Sequence, residues 1–211
     1  MRPRVVINAA MSLDGKIALA DGRGVRISNE DDVRRVQGLR SQVDAILVGV
    51  GTVLKDDPKL TVKPEYAKGR KPLRVVLDSD GKTPSKANVL DGSAPTLVAT
   101  AEGCERTFPK ADVFRAGKDE VDLCALLDHL AARGVKSLLV EGGSTVIWNF
   151  LRHGFVDEVK VFVASAVLGG QSAPTLAGGE GVRSLEEAAR LRLDRAERLG
   201  DGVLLEYTVV P

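Results

Sequence analysis

The sequence predicts an α/β protein built on a mostly parallel sheet with helices on both faces. Three observations carry that expectation. Short apolar runs alternate with helical patterns along all 211 residues. Two of the runs, Ala45-Ile46-Leu47-Val48 and Ser137-Leu138-Leu139-Val140, have almost no polar face, as strands covered on both sides do. Both lead into glycine turns that open helical patterns, as strand-to-helix connections do.

Taken in order, Val5 to Ala10 is apolar apart from Asn8 and reads as a buried strand. Ser28 is a candidate N-cap, with Asp31 three residues on standing in for the Glu of a capping box. Val33, Val36, Leu39 and Val43 then recur at helical spacing, which predicts an amphipathic helix over 29–42. After the strand at 45–48, Arg74–Leu77, Thr96–Ala99 and Asp112–Phe114 read as further short strands. Asp122 caps a helix bearing Leu123, Leu126, Leu127 and Leu130, ended by Gly134. Beyond the strand at 137–140, a short helix carries Val146, Ile147, Phe150 and Leu151. Val159–Ala164 and Val203–Val210 read as strands, the last closing the sheet. The polar stretches 62–72 and 169–184 read as surface loops, and 1–211 as one domain.

Composition removes several function classes. Thirty Lys+Arg against 29 Asp+Glu leave a net charge of +1, without the basic excess of a nucleic-acid binder. Two cysteines exclude a disulfide scaffold, and two histidines leave a metal site poorly supplied. No run approaches the length of a membrane span, and the apolar stretch after Met1-Arg2-Pro3-Arg4 is broken by Asn8, Ser12, Asp14 and Lys16. The expectation is a cytoplasmic protein with no metal, no membrane and no nucleic-acid partner.

In such a sheet, ligands bind beyond the carboxyl ends of the strands. Three ends carry chemistry. Gly49-Val50-Gly51-Thr52 combines close backbone approach with a hydroxyl, and Thr52 starts a short helix; the same turn serves equally as a plain connection that needs glycine. Glu141-Gly142-Gly143-Ser144-Thr145 pairs a strand-end carboxylate with a plausible pyrophosphate cradle. Leu77-Asp78-Ser79-Asp80-Gly81-Lys82 reads as a ribose or phosphate contact, or as a solvated turn. Asn8 and Asp14 follow or lie in the first strand and face either a polar ligand or the core. Arg40 suits a helix C-terminus, while Lys63 and Arg26 are candidate phosphate contacts. Trp148 reads as core. Hydride transfer from a nicotinamide cofactor suits this inventory, because the cofactor supplies the reactive atom.

As a set, Asn8 with Met11-Ser12-Leu13-Asp14-Gly15-Lys16, Val48 through Val62, Val76-Leu77-Asp78-Ser79, Leu139 through Ser144, Val156-Asp157-Glu158-Val159 and Leu168-Gly169-Gly170 resemble the riboflavin-biosynthesis reductases. The likeness is closest to the stand-alone archaeal type and extends to the reductase domain of bacterial deaminase-reductases. It implies a dihydrofolate-reductase-like fold with C-terminal antiparallel strands, a homodimer, and NADPH as cofactor. The implied reaction opens a phosphorylated pyrimidine's ribosylamino ring and reduces C1′ to give the ribityl chain. Carried over, Gly51, Thr52, Asp56, Ser79, Gly142, Gly143, Ser144 and Thr145 contact the cofactor. Asn8, Arg40, Lys63 and Glu141 contact the substrate, and Glu141 or Asp14 assists proton transfer. Lys82 and Arg106 are candidates for the cofactor's 2′-phosphate. The zinc-deaminase signatures H-x-E and P-C-x-x-C do not occur, so the resemblance implies a diamino substrate reduced before a separate deaminase acts. Other readings are a reductase of the deaminated uracil analogue or of a pterin, and a non-catalytic nucleotide-binding protein.

Overall fold

The computed structural model describes residues 1–210. In chain order they form β1 (Arg4–Ser12), α1 (Glu30–Gln42), β2 (Ala45–Gly49), α2 (Val50–Asp56), α3 (Pro64–Ala67), β3 (Leu73–Leu77), β4 (Thr96–Thr100), β5 (Asp112–Arg115), α4 (Leu123–Ala132), β6 (Ser137–Val140), α5 (Ser144–Arg152), β7 (Glu158–Ala164), β8 (Arg190–Leu199) and β9 (Gly202–Val210). The chain divides into two compact units. One comprises Met1–Arg4 with Gln37–Leu139, the other Val5–Val36 with Val140 to the C-terminus.

The first unit holds strands in the order β5-β4-β3-β2-β6, with the β2–β3, β3–β4 and β4–β5 pairs parallel. β2 pairs with β3 from Ala45↔Leu73 to Gly49↔Leu77, so the two strands end together. Every residue of β2 and of β4 is buried, which is the reason their sequences lack a polar face. α4 obeys its signals closely. Asp122 accepts a hydrogen bond from the Ala125 amide at 3.0 Å, Leu126, Leu127 and Leu130 are buried, and Gly134 takes a φ of 82° just beyond the helix.

One residue of β3 breaks the apolar rule. Arg74 is fully buried, and its guanidinium donates to Thr96 Oγ1 at 2.9 Å, Asp91 Oδ1 at 2.9 Å and Ala94 O at 2.7 Å. Nη1 also reaches the carbonyls of Lys59 and Asn88, both at 3.3 Å. A charge without water needs this many partners. The outcome is that one side chain ties the segments after α2 and before β4 to the sheet. Ser93 and then Arg74 hold the Asp91 carboxyl well below the usual carboxylate range.

The second unit contains β1, β7, β9 and β8 in that order. β1 pairs with β7 in parallel, Val6↔Glu158 to Ser12↔Ala164, while β7–β9 and β8–β9 are antiparallel. Gly202 is required where β9 starts, because a Cβ there would lie 2.4 Å from Phe162 Cζ and 2.6 Å from the Val163 carbonyl. α5 buries Ile147 and Phe150.

Several expectations need correction. α1 is capped by Asn29 and not by Ser28: Asn29 Oδ1 accepts from the Asp32 amide at 2.9 Å, while the Ser28 hydroxyl donates to the Asp32 carboxylate. The buried residues of α1 are Asp32 and Gln37, whereas Val33, Val36 and Leu39 are all half-buried and do not form a buried stripe. α2 begins at Val50, so Thr52 lies inside its first turn and does not start it. β8 lies outside the expected strands, because Arg-Leu-Arg-Leu-Asp-Arg-Ala-Glu-Arg-Leu is a mostly exposed, charge-rich edge strand whose alternation stops after Leu193. The stretch 62–72 also holds the single turn of α3.

Replacing Arg74 by Met removes the cation but leaves Asp91 and the three carbonyls in place. The urea midpoint is expected to fall by the equivalent of about 3 kcal/mol with an unchanged slope.

Candidate active site

In the first unit the candidate chemistry lies beyond the ends of β2 and β3. Gly49 caps α2 without a side-chain hydrogen bond; Gly51 is exposed, Thr52 is half-buried and Asp56 is exposed at the helix end. Asp57 then adopts a φ of 41° and anchors the next loop, accepting from the Asn88 amide at 2.7 Å and from Asn88 Nδ2 at 2.9 Å. Arg40 Nη1 donates to the Thr61 carbonyl at 3.2 Å, and Gln37 Oε1 accepts from the Lys63 amide at 2.8 Å. The loop therefore brings Lys63 to α1 beside Arg40, and the exposed Lys63 side chain stands at the start of α3.

Beyond β3, Asp78 is buried and used up by its own turn. It accepts from the Lys82 amide at 2.7 Å, the Thr83 amide at 2.7 Å and the Thr83 hydroxyl at 2.6 Å. Ser79 is half-buried, and its hydroxyl accepts from the Val121 amide at 3.3 Å. Lys82 is paired with Asp80 at 2.5 Å, Arg106 donates to the Gly81 carbonyl, and Arg26 in the other unit is paired with Glu30 at 2.5 Å. Sequence reading passes over Thr100. It ends β4, is fully buried, and its hydroxyl has no partner among the described residues. A threonine closing an apolar strand is the signal available.

In the second unit Asn8 is buried within β1, with its Oδ1 accepting from Arg35 Nη2 at 2.7 Å. Glu141 comes directly after β6 and is half-buried. Gly142 has a φ of 115° with nothing within 4 Å of where a Cβ would be, so the turn is open on that side. Gly143 caps the nine-residue α5 with no side-chain hydrogen bond, which leaves the first-turn amides facing outward beside the Ser144 and Thr145 hydroxyls. The segment after β7 packs against this turn: the Gly178 amide donates to the Ser144 carbonyl at 3.1 Å, and a Cβ at Gly179 would lie 2.1 Å from Trp148 Cδ1. Trp148 is half-buried on α5 with its indole N–H unpartnered among the described residues.

Asp14 is exposed but fully engaged. Its carboxylate accepts from Ser12 Oγ at 2.6 Å and from the Leu168 and Gly169 amides at 3.0 and 2.7 Å. The Ser12 hydroxyl first, then the Leu168 and Gly169 amides, lower its pKa from 3.8 to about 2. At neutral pH it is an anion with no proton to give, and it ties the turn after β1 to the segment after β7.

Glycine turns and an uncapped helix N-terminus at strand ends suit a phosphorylated ligand, and the relatives of this chain mark it as an oxidoreductase. The family model of the RibD C-terminal domain matches residues 3–205, and the chain belongs to that family of riboflavin-biosynthesis reductases. It is 47% identical, over 99% of both chains, to the 2,5-diamino-6-ribosylamino-4(3H)-pyrimidinone 5′-phosphate reductase of Methanothermobacter thermautotrophicus. It is 40% identical to the protein of the same name from Archaeoglobus fulgidus, over 96% of each. Among solved structures, Acinetobacter baumannii RibD superposes with a TM-score of 0.85 at 26% identity, covering 99% of this chain and 58% of that one. These neighbours carry the dihydrofolate-reductase-like fold that the sequence motifs imply.

Because the folded Asp14 pKa lies below its unfolded value, its hydrogen bonds contribute stability that is present above about pH 4 and lost as pH falls towards 2. In Asp14→Asn the melting temperature is expected to be lower at pH 7 and to fall less steeply between those pH values, as followed by calorimetry.

Proposed function

We propose that this chain reduces the ribosylamino side chain of 2,5-diamino-6-ribosylamino-4(3H)-pyrimidinone 5′-phosphate to ribitylamino, with NADPH as hydride donor. The observation that carries this reading is the 47% identity, end to end, with a reductase of that name. On the same reading the 211 residues work as one reductase domain, in the cytoplasm and as a homodimer. The exposed Leu191 and Leu193 of the edge strand β8 support a partner copy, since a monomer gains nothing from apolar side chains there.

The residues present suit a dinucleotide. The open space at Gly142, the uncapped start of α5 and the free hydroxyls of Ser144 and Thr145 suit a pyrophosphate. Gly51, Thr52, Asp56 and Ser79 are the remaining contacts, with hydroxyl and carboxylate groups suited to ribose and amide. When bound, NADPH supplies a hydride to C1′ of the substrate.

The chain's own residues supply the rest. Arg40 and Lys63 hold the 5′-phosphate, which suits two cations brought to one loop. Asn8 orients the pyrimidine. Opening of the ribosylamine leaves a C1′=N bond; C1′ gains the hydride and the nitrogen gains a proton, giving the ribitylamine. Glu141, directly after β6, is assigned to proton transfer, and Asp14, held by three donors, to fastening the turn after β1. Positioning accounts for much of the acceleration.

Mixing the purified protein with NADPH and the diaminopyrimidinone ribosylamino phosphate is expected to give substrate-dependent loss of the reduced-nicotinamide absorbance. Loss only with the deaminated analogue, or no loss at all, overturns the reading. Glu141→Gln is expected to lower kcat about 100-fold or more, while Asp14→Asn costs less than about 10-fold. Equal and severe losses in both would return Asp14 to the chemistry.

A further inference from the structure

The side chain of Asn8 is held from one direction. Arg35 Nη2 donates to Asn8 Oδ1 at 2.7 Å. A guanidinium offers only donors, so the Asn8 atom that faces it must be the oxygen. The amide nitrogen is thereby turned away, and it donates to no acceptor among the described residues. Arg35 is itself fixed from behind. Its Nε donates to Asp32 Oδ1 at 2.8 Å, and its Nη2 lies 2.7 Å from the same oxygen. Asp32 is 1% exposed and accepts from the Ser28 hydroxyl at 2.5 Å. Lys160, the register partner of Asn8 on β7, is committed to Glu206 at 2.6 Å, so no second cation competes for the Asn8 oxygen.

The arrangement exceeds what an ion pair needs. Nε and Nη2 already satisfy Asp32, yet Nη2 is shared with Asn8 while the buried Nη1 is left with no partner among the described residues. A buried donor goes unpaired here and the Asn8 contact is kept. An unrestrained asparagine can present either its oxygen or its nitrogen, because the two ends have nearly the same shape. With its oxygen turned to Arg35, Asn8 presents its amide nitrogen, a donor, on the opposite side.

We propose that Arg35 is a positioning residue that sets the hydrogen-bond polarity of Asn8, so that Asn8 donates to an acceptor on the pyrimidine ligand. This deepens the reductase reading and rests on it, since that reading brings Asn8 to the substrate. The site then accepts a pyrimidine with a carbonyl oxygen or bare ring nitrogen at this point and disfavours one with an N–H there. Arg35 touches neither ligand and acts through Asn8 alone.

A double-mutant cycle tests this, with dissociation constants for the diaminopyrimidinone phosphate and for NADPH measured separately by calorimetry. Arg35→Met and Asn8→Ala are each expected to weaken the pyrimidine about 10-fold, the worth of one hydrogen bond to a buried group. The double variant is expected to be no weaker than Asn8→Ala, and the NADPH constant is expected to stay within about 2-fold throughout. Arg35→Lys, which keeps a cationic donor, is expected to recover most of the affinity lost in Arg35→Met. Where Arg35→Met does not fold, Asn8→Asp carries the test, because Arg35 stays paired and only the outward atom changes from donor to acceptor. That variant is expected to lose more pyrimidine affinity than Asn8→Ala at an unchanged or higher melting temperature. Additive losses in the cycle, an equal loss for NADPH, or wild-type affinity in Asn8→Asp overturns the inference and leaves the reductase reading standing. Failure of the wild-type protein to bind the pyrimidine overturns both.

Discussion

A parallel strand buried on both faces carries most of its polar chemistry where it stops. Inside the ladder the backbone groups are paired and most side chains meet apolar neighbours, Arg74 and Asn8 being exceptions that need polar partners of their own. At the carboxyl end the chain must turn, its next donors and acceptors need new partners, and water or a ligand can reach them. β2 and β3 stop together at Gly49 and Leu77; β2 gives way to Val50-Gly51-Thr52 and β3 to Asp78-Ser79-Asp80-Gly81. β6 stops at Val140 before Glu141 and the glycine pair. The location of the chemistry is thus a consequence of the sheet and not a separate design.

The strand ends would be of little use if the turns beyond them were loose. In this protein, charged side chains act as the fasteners. Asp78 closes the turn after β3 with three hydrogen bonds, Asp57 clamps Asn88, and Arg74 collects carbonyls from two segments at once. Asp44 does the same at the opposite end of the strands, accepting from the Lys136 and Ser137 amides and from the Ser137 hydroxyl. Backbone amides are fixed in direction, so a carboxylate that accepts from two or three of them defines a loop more sharply than an apolar contact of the same area. The cost of taking such groups from water is offset only when nearly all their hydrogen-bonding capacity is used, and most of these groups meet that condition.

The same division separates the legible parts of the sequence from the rest. Apolar periodicity reveals nearly every strand and helix, because burial is written in residue type. The glycine turns after β2 and β6 are visible for the same reason. β8 is hidden, since it is exposed and charge-rich, with only Leu191 and Leu193 in alternation. The roles of the carboxylates are hidden more deeply. Asp14, Asp32, Asp44, Asp57 and Asp78 look alike as letters, and only their partners separate a loop fastener from a ligand contact. Asp14 reads as a candidate acid because it stands beside the first strand; three donors on its carboxylate give it a mechanical job. Asp32 sits in the first turn of α1, where an acidic residue needs no further explanation, yet it is buried as the counter-ion of Arg35.

On the proposed reading, recognition of a small phosphorylated ligand by a nearly neutral protein depends on the same economy of partners. A net charge of +1 supplies no general attraction for a phosphate, so selectivity must come from a few cations left with donors to spare. Several arginines here have spent theirs: Arg23, Arg34, Arg70, Arg133, Arg192 and Arg195 each face a carboxylate. Lys63, exposed at the first residue before α3 and fixed through its backbone by Gln37, keeps its ammonium uncommitted among the described residues while its position is set. A side chain located by its main chain and not by its own charge is the form a phosphate contact should take. The charge then remains available to the ligand, and ordering it costs little at the moment of binding.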